Sequence, residues 1–404
     1  MKIAHSKHLL AILCIILFLN INIFSQIQTN IWKEKTETAD MKSAKRQIVP
    51  QLYRTVSADV TILKNLLSTA PLESKDIKAK NSAVILSLPM PDGTMQSFSI
   101  VESPVMEKGL AEKFPEIKTY LGHSVENNGS GLRCDITPKG FHAMIFTLDG
   151  TVFIDPYKNG DMENYISYYK KDFIPPPGKM MPEYTPDEKL QAEIKLLNVP
   201  NAAIGTQLRT YRLALAADSN YYNFQGGTKA LTMAAMVTSI NRVNFVYERE
   251  VAIHMNIVAG NDALIFPGST SPYPYTTTVA CDLRPENQTK IDAVIGTANY
   301  DIGHLFAMSA GGCATGNSVC NAATKAYGVT GTGNPVGDPF DIDYVSHEMG
   351  HQFNAGHTWN GTLGSCSPGQ YDATSAYEPG SGTTIMGYAG ICGTDNLQPN
   401  SDPY

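Results

Sequence analysis

Beyond its first 26 residues, the chain lacks any apolar run long enough to cross a bilayer, which excludes an internal helical membrane span. It also lacks an excess of positive charge: 31 Lys and Arg stand against 38 Asp and Glu, a net charge of -7. The imbalance lies late in the sequence, where from residue 205 onward 8 basic residues face 16 acidic ones. A field of that sign repels phosphate, so neither nucleic acid nor an anionic membrane is expected as a partner. Cysteine is sparse, and no internal repeat is present, so a solenoid or propeller array is not expected. Apolar residues are not lacking: at 43% they suffice for a substantial core.

The N-terminus has Lys2, His5, Lys7 and His8 ahead of an apolar run at 9–18 that continues weakly to Phe24, then Ser25 and Gln26. This reads as a signal peptide over residues 1–26 and predicts a secreted, extracellular protein with no transmembrane segment in its mature form. Removing Cys14 with that segment leaves Cys134, Cys281, Cys313, Cys320, Cys366 and Cys392. Export permits disulfides, and proximity favours Cys313 with Cys320 and Cys366 with Cys392, although spacing alone does not fix connectivity.

Residues 27–50 are polar and charge-dense, with loose helix at most. From about 82 to 170 the pattern turns to strands. Segments 83–88 and 97–101 flank Pro91-Asp92-Gly93, and segments 141–146 and 151–154 flank Asp149-Gly150. Residues 27–172 therefore form a β-rich unit. A proline-rich, charged stretch follows at 173–206, read as a linker or processing region. The second unit, 207–404, mixes strand signals at 210–216, 251–258 and 303–308 with helix signals at 228–248 and 290–295. Asp338-Pro339 reads as an N-cap followed by proline at the first helical position.

That last signal starts the most informative segment, residues 347–357, which reads HEMGHQFNAGH. On a helix His347 and His351 share one face and can present imidazoles to one metal ion. Glu348 lies one step round, within reach of a metal-bound water without being a ligand. His357 joins them only if the helix stops and the chain turns back, and Asn354, which tolerates a left-handed conformation, falls at that bend. Three imidazoles leave the charge of Zn2+ uncompensated, which acidifies its water. Glu348 then takes the proton of that water as it attacks a peptide carbonyl, and returns it to the leaving amine. One zinc ion is expected, with protein or peptide substrates. A competing ligand set would use Glu378 as third ligand, but Glu378 stands before Pro379-Gly380 with no helical periodicity.

This motif, followed by Thr384-Ile385-Met386-Gly387-Tyr388, resembles the metzincin signature HExxHxxGxxH with its methionine turn. The likeness covers about 205–404 and is nearest to reprolysin (adamalysin)-like metallopeptidases of the secreted bacterial type. It implies a zincin-like α/β (α+β) catalytic domain with a mixed sheet and an active-site helix, preceded by a β-rich propeptide that makes the chain a zymogen. It further implies His347, His351 and His357 as metal ligands, Glu348 as catalytic base and Met386 as the Met-turn. Asn354 replaces the usual glycine, and Thr358 stands where reprolysins usually have Asp. Tyr388 matches the astacin and serralysin tyrosine and is a second catalytic candidate, as a donor to a developing oxyanion. The chain ends 16 residues after Tyr388, where metzincins continue into a further helix, so a C-terminally truncated domain is expected.

Cys134 is a candidate latency ligand whose thiolate would occupy the open zinc position, with Asp135 as a weaker substitute. Residues 305–312 are a candidate substrate-pairing edge strand. His254 and His304 lack ligand spacing and read as ordinary hydrogen-bonded histidines. The alternative function is a catalytically silent binding or adhesion module on the same scaffold. Retention of Glu348 argues against it, because a purely structural zinc site needs no general base.

Overall fold

The computed structural model describes residues 31–126, 129–173, 183–185, 207–267, 275–308 and 311–404. The expected signal peptide and most of the proline-rich stretch lie outside the described residues.

Residues 31–173 build a nine-stranded antiparallel sheet in the order β1-β2-β9-β8-β7-β6-β5-β4-β3. Its strands are β1 (Trp32–Glu34), β2 (Arg54–Ala58), β3 (Ile85–Pro89), β4 (Met95–Glu102), β5 (Lys118–Ser124), β6 (Gly131–Thr137), β7 (Gly140–Thr147), β8 (Gly150–Pro156) and β9 (Asn164–Tyr169). Both expected hairpins form. At the first turn Asp92 accepts the Thr94 N–H at 2.9 Å and Gly93 takes φ 93°, a region open to glycine at little cost. Trp32–Glu34 is a strand rather than loose helix, because it pairs with β2.

Side chains alternate across a strand, and this sheet buries both faces. Ala143, Ile145, Val152 and Ile154 point into the unit's own core, closed by helix α1 (Val60–Ser68) through Leu63, Leu66 and Leu67. Their neighbours Met144, Phe146 and Phe153 point the other way, into a core shared with residues 213–385.

The second sheet runs β10-β14-β15-β13-β11-β12. Strands β11 (Arg209–Ala217), β12 (Ile253–Ile257), β13 (Ile302–Ala307) and β15 (Gly328–Gly331) are mutually parallel, and β14 (Cys313–Thr315) is antiparallel to β15. Beyond β15 the sheet continues into β14 and then β10, and the candidate edge segment 305–312 instead starts inside the sheet, since Leu305 lies in the interior strand β13. Helix α2 (Lys229–Glu250) connects β11 to β12, and α3 (Ala280–Val294) leads to β13. The helix signal at 290–295 was only the last turn of α3.

Helix α2, capped by Thr228, is buried nearly all round because it lies between the two sheets. Met233, Val237, Ile240 and Val243 join the shared core. Its polar residues meet the first sheet: Thr238 donates to Asp135 at 3.0 Å and Asn241 to the Cys134 carbonyl at 3.0 Å. Arg133 reaches Glu248 at 2.5 Å, and Arg242 bridges Asp155 at 2.5 Å and Asp341 at 2.9 Å. Buried charges are tolerated only when paired in this way. Both edges of the second sheet are also covered from the N-terminal side. Ile257 exchanges backbone hydrogen bonds with Val105 and Glu107 at 2.8 and 2.9 Å, and β10 (Glu183–Thr185) runs parallel to β14.

The disulfides are Cys281–Cys313, joining α3 to β14, and Cys366–Cys392. The expected Cys313–Cys320 pair does not form. β14 turns Cys313 toward α3, while the Cys320 N–H bonds the Asp301 carbonyl at 2.8 Å and leaves an exposed free thiol. Among the described residues no helix is long and apolar enough to cross a membrane.

Candidate metal centre

The segment carrying the histidines begins as an α-turn at Gly337–Phe340, widens to a π-helical turn over Asp341–Ser346, and returns to helix α4 (His347–Gln352). Asp338 is not its N-cap. Val336 holds that position, and the Asp338 carboxylate is buried against Lys170 of the first sheet's C-terminal turn. The amine attracts it more strongly than exposed backbone N–H groups would. Asp343 lies 3.4 Å from the same amine, and Asp341 takes Arg242 at 2.9 Å. Each acidic residue of the helix start thus meets a cation.

Asn354 takes φ 75°, and the Ala355 N–H returns to the Gly350 carbonyl at 2.9 Å, which ends α4 and turns the chain back. His357 then arrives opposite His347 and His351. Each ring hydrogen-bonds a backbone carbonyl through Nδ1: His347 to Ile385 at 2.7 Å, His351 to Ala355 at 2.7 Å, and His357 to Gln370 at 2.6 Å. A carbonyl only accepts, so these contacts place the proton on Nδ1 and a lone pair on Nε2. The His351 Nε2 lies 2.9 Å from that of His347 and 3.0 Å from that of His357.

Three lone pairs converging on one point repel, and a shared cation turns that repulsion into coordination. Three buried neutral imidazoles are a donor set that suits zinc. Burial pushes the His357 pKa down to about 4, against smaller upward pulls from the Gln370 carbonyl and Asp372. Burial likewise lowers His351 well below its ordinary value, helped by the other two imidazoles. Both are therefore in their ligand form at neutral pH.

Glu348 is fully buried on the same helix. A β-carbon on Gly312 would fall 2.2 Å from its Oε1, so the chain entering β14 passes directly over the carboxylate. Met386 sits beneath α4, its sulfur 2.7 Å from where a Gly350 β-carbon would be. The buried ring of Tyr388 lies 4.6 Å from His357, 5.7 Å from His347 and 5.2 Å from Trp359, centroid to centroid. The rings of His347, His351, His357 and Tyr388 thus meet in one place, with Glu348 on the same helix and Met386 beneath it.

Cys134 is not among them. It lies on β6, fully buried among Leu132, Ile136 and the other side chains of the first sheet's own core. Burial raises its pKa well above the ordinary thiol value, which disfavours a thiolate ligand. The latency assignment is corrected on that ground, and Asp135 is engaged by His142 and Thr238.

Glu378 is no ligand either. It accepts hydrogen bonds from Thr358, Thr383 and Thr384. His304 is buried between Gln352 at 2.7 Å and Thr330 at 2.8 Å, and His254 between Glu248 and Asn256. Residues missed from sequence include Gln370, whose carbonyl gives no side-chain pattern; Gly312 figures there only as the end of the candidate edge strand 305–312, not as the cover over Glu348.

Residues 207–404 match the family described as metallo-peptidase family M12B, reprolysin-like. Among solved structures, a crystal structure of metalloproteinase-II from Bacteroides fragilis is similar at 12% identity and a TM-score of 0.44, covering 84% of this chain and 90% of that one. No curated protein matches.

Proposed function

Residues 207–404 belong to the reprolysin-like M12B metallopeptidases, which makes this a zinc metallopeptidase, and we propose that the chain is the secreted zymogen of an endopeptidase that uses Glu348 as its general base. The observation that carries this reading is the convergence of the His347, His351 and His357 Nε2 atoms beside the buried Glu348 carboxylate. These three histidines would hold one zinc ion, which when bound supplies Lewis acidity towards water and a substrate carbonyl.

Glu348 accepts the proton of the attacking water and delivers it to the departing amine. Gly312 and the start of β14 roof that carboxylate, keep bulk solvent from it and offer an extended substrate backbone a strand to pair with. Tyr388, whose ring packs against His357, is the residue to which we assign donation to a developing oxyanion. Met386 supports the helix from below.

The zymogen reading is supported by occupancy of that same edge. Backbone 183–185, from the stretch between the two units, runs along β14 where a substrate strand would lie. The boundaries proposed are a signal peptide at 1–26, a propeptide at 27–172, a processing region at 173–206 and the catalytic domain at 207–404. Two disulfides suit an oxidising, extracellular destination. The test is hydrolysis of a denatured protein before and after cleavage within 173–206, with sequencing of the new N-terminus. Full activity in the uncleaved chain would sink the zymogen, and no activity in either form would favour a silent binding module.

A further inference from the structure

Of the three carbonyls that orient the histidines, two belong to the long segment after His357: Gln370 and Ile385. From Thr358 to Tyr404 this segment forms neither α-helix nor ladder strand, only two short 3-10 turns. Something other than regular secondary structure must hold the Ile385 carbonyl against His347.

Glu378 makes that link. Its carboxylate accepts the Thr358 hydroxyl, the Thr383 N–H at 3.0 Å, the Thr384 N–H at 3.2 Å and the Thr384 hydroxyl at 2.6 Å. Its backbone adds the N–H to Thr358 O at 2.7 Å and its own carbonyl to Asn360 N–H at 3.0 Å. Thr358 is the residue after His357, and Thr384 the one before Ile385. The Thr358 N–H also reaches the Met386 carbonyl at 3.1 Å.

Room for the carboxylate is provided by Gly382, where a β-carbon would fall 2.7 Å from Glu378 Oε2. Burial pushes the Glu378 pKa up, but donation from Thr358, Thr383 and Thr384 outweighs burial and holds it below the ordinary range. The group is therefore an anion at neutral pH, and its hydrogen bonds are charge-assisted.

We propose that Glu378 is the positioning residue of the metal centre: one carboxylate clamps the backbone after His357 to the backbone before Ile385, fixing two of the three imidazoles. The inference rests on the zinc-ligand reading above. Loss of a group that orients ligands costs roughly 10- to 100-fold in metal affinity or activity.

The experiment measures zinc release from the full chain to a chromogenic chelator, together with the visible spectrum of the cobalt(II)-substituted protein. Glu378→Ala should release zinc roughly tenfold or more faster, Glu378→Gln and Thr384→Val less so, each with an altered cobalt spectrum. Leu66→Ala, in the first sheet's own core, is the control: it should lower stability without changing zinc release. If Glu378→Ala fails to fold, Glu378→Gln and Thr384→Val decide.

Unchanged release and spectra in folded variants would overturn the inference alone. So would an equal acceleration in Leu66→Ala. A parent chain that binds no zinc would sink the metallopeptidase site, and this inference with it.

Discussion

Met386 and Gly350 fit together at the underside of the candidate site: the Met386 sulfur lies 2.7 Å from the position a β-carbon on residue 350 would take. The turn holding Met386 can approach α4 only because residue 350 has no side chain. Gly350→Ala should gain about 1 kcal/mol in helix propensity and lose about 1–3 kcal/mol to overpacking in a buried layer. The second effect is expected to win. Thermal unfolding should show a lower midpoint for Gly350→Ala, and metal analysis a lower zinc content. A stabilised variant with full zinc would contradict this packing account.

The pairing of Lys170 with Asp338 and Asp343 joins the first sheet to the start of the active-site helix, with all three residues buried. Lys170→Met removes one cation and leaves two buried carboxylates. Breaking a buried pair from one side costs about 3–5 kcal/mol. Chemical denaturation should report a loss of that size, against less than 1 kcal/mol for the exposed Lys108→Met.

His304 is buried neutral, and burial lowers its pKa to about 4, with Gln352 pulling weakly upward. The unfolded chain binds this proton near pH 6.5, so the unfolded state carries more protons between the two values. Stability from His304 is complete above about pH 6.5 and is lost as pH falls towards 4, by up to about 3 kcal/mol. Unfolding free energies at several pH values should fall across that window, and His304→Gln should flatten the slope. An unchanged slope would show that His304 is not the titrating group.

Cys320 and Cys313 lie seven residues apart but play opposite parts. Cys313→Ser breaks the link to Cys281 across 32 residues and should cost about 2–4 kcal/mol. Cys320→Ser alters an exposed free thiol and should leave the midpoint nearly unmoved. Mass analysis after thiol alkylation without reductant should label Cys320.

The sequence was readable where chemistry is local. Asn354 had to turn left-handed if His357 was to return, and it does so at φ 75°. Asp92-Gly93 and Asp149-Gly150 placed their hairpins because turn residues act over three or four positions. It was unreadable where a distant partner decides. Asp338 looked like an N-cap, yet Lys170, 168 residues away, claims it. Cys313 has a nearer cysteine than Cys281, namely Cys320, and only the geometry of α3 and β14 selects between them. Glu378 resembled a failed ligand because its partners, Thr358 and Thr384, are significant only once the Met-turn is folded under the helix. Helix α2 gave a clean apolar stripe, but nothing in it announced that the polar side would be buried against another sheet.

The central claim is that His347, His351 and His357 hold zinc while Glu348 moves the proton. It is tested most directly by measuring zinc content and peptide hydrolysis together in processed Glu348→Ala and His351→Ala. The account predicts about one zinc per chain and no hydrolysis in Glu348→Ala, and loss of both in His351→Ala. Hydrolysis by Glu348→Ala at the parent rate, or full zinc in His351→Ala, would contradict it.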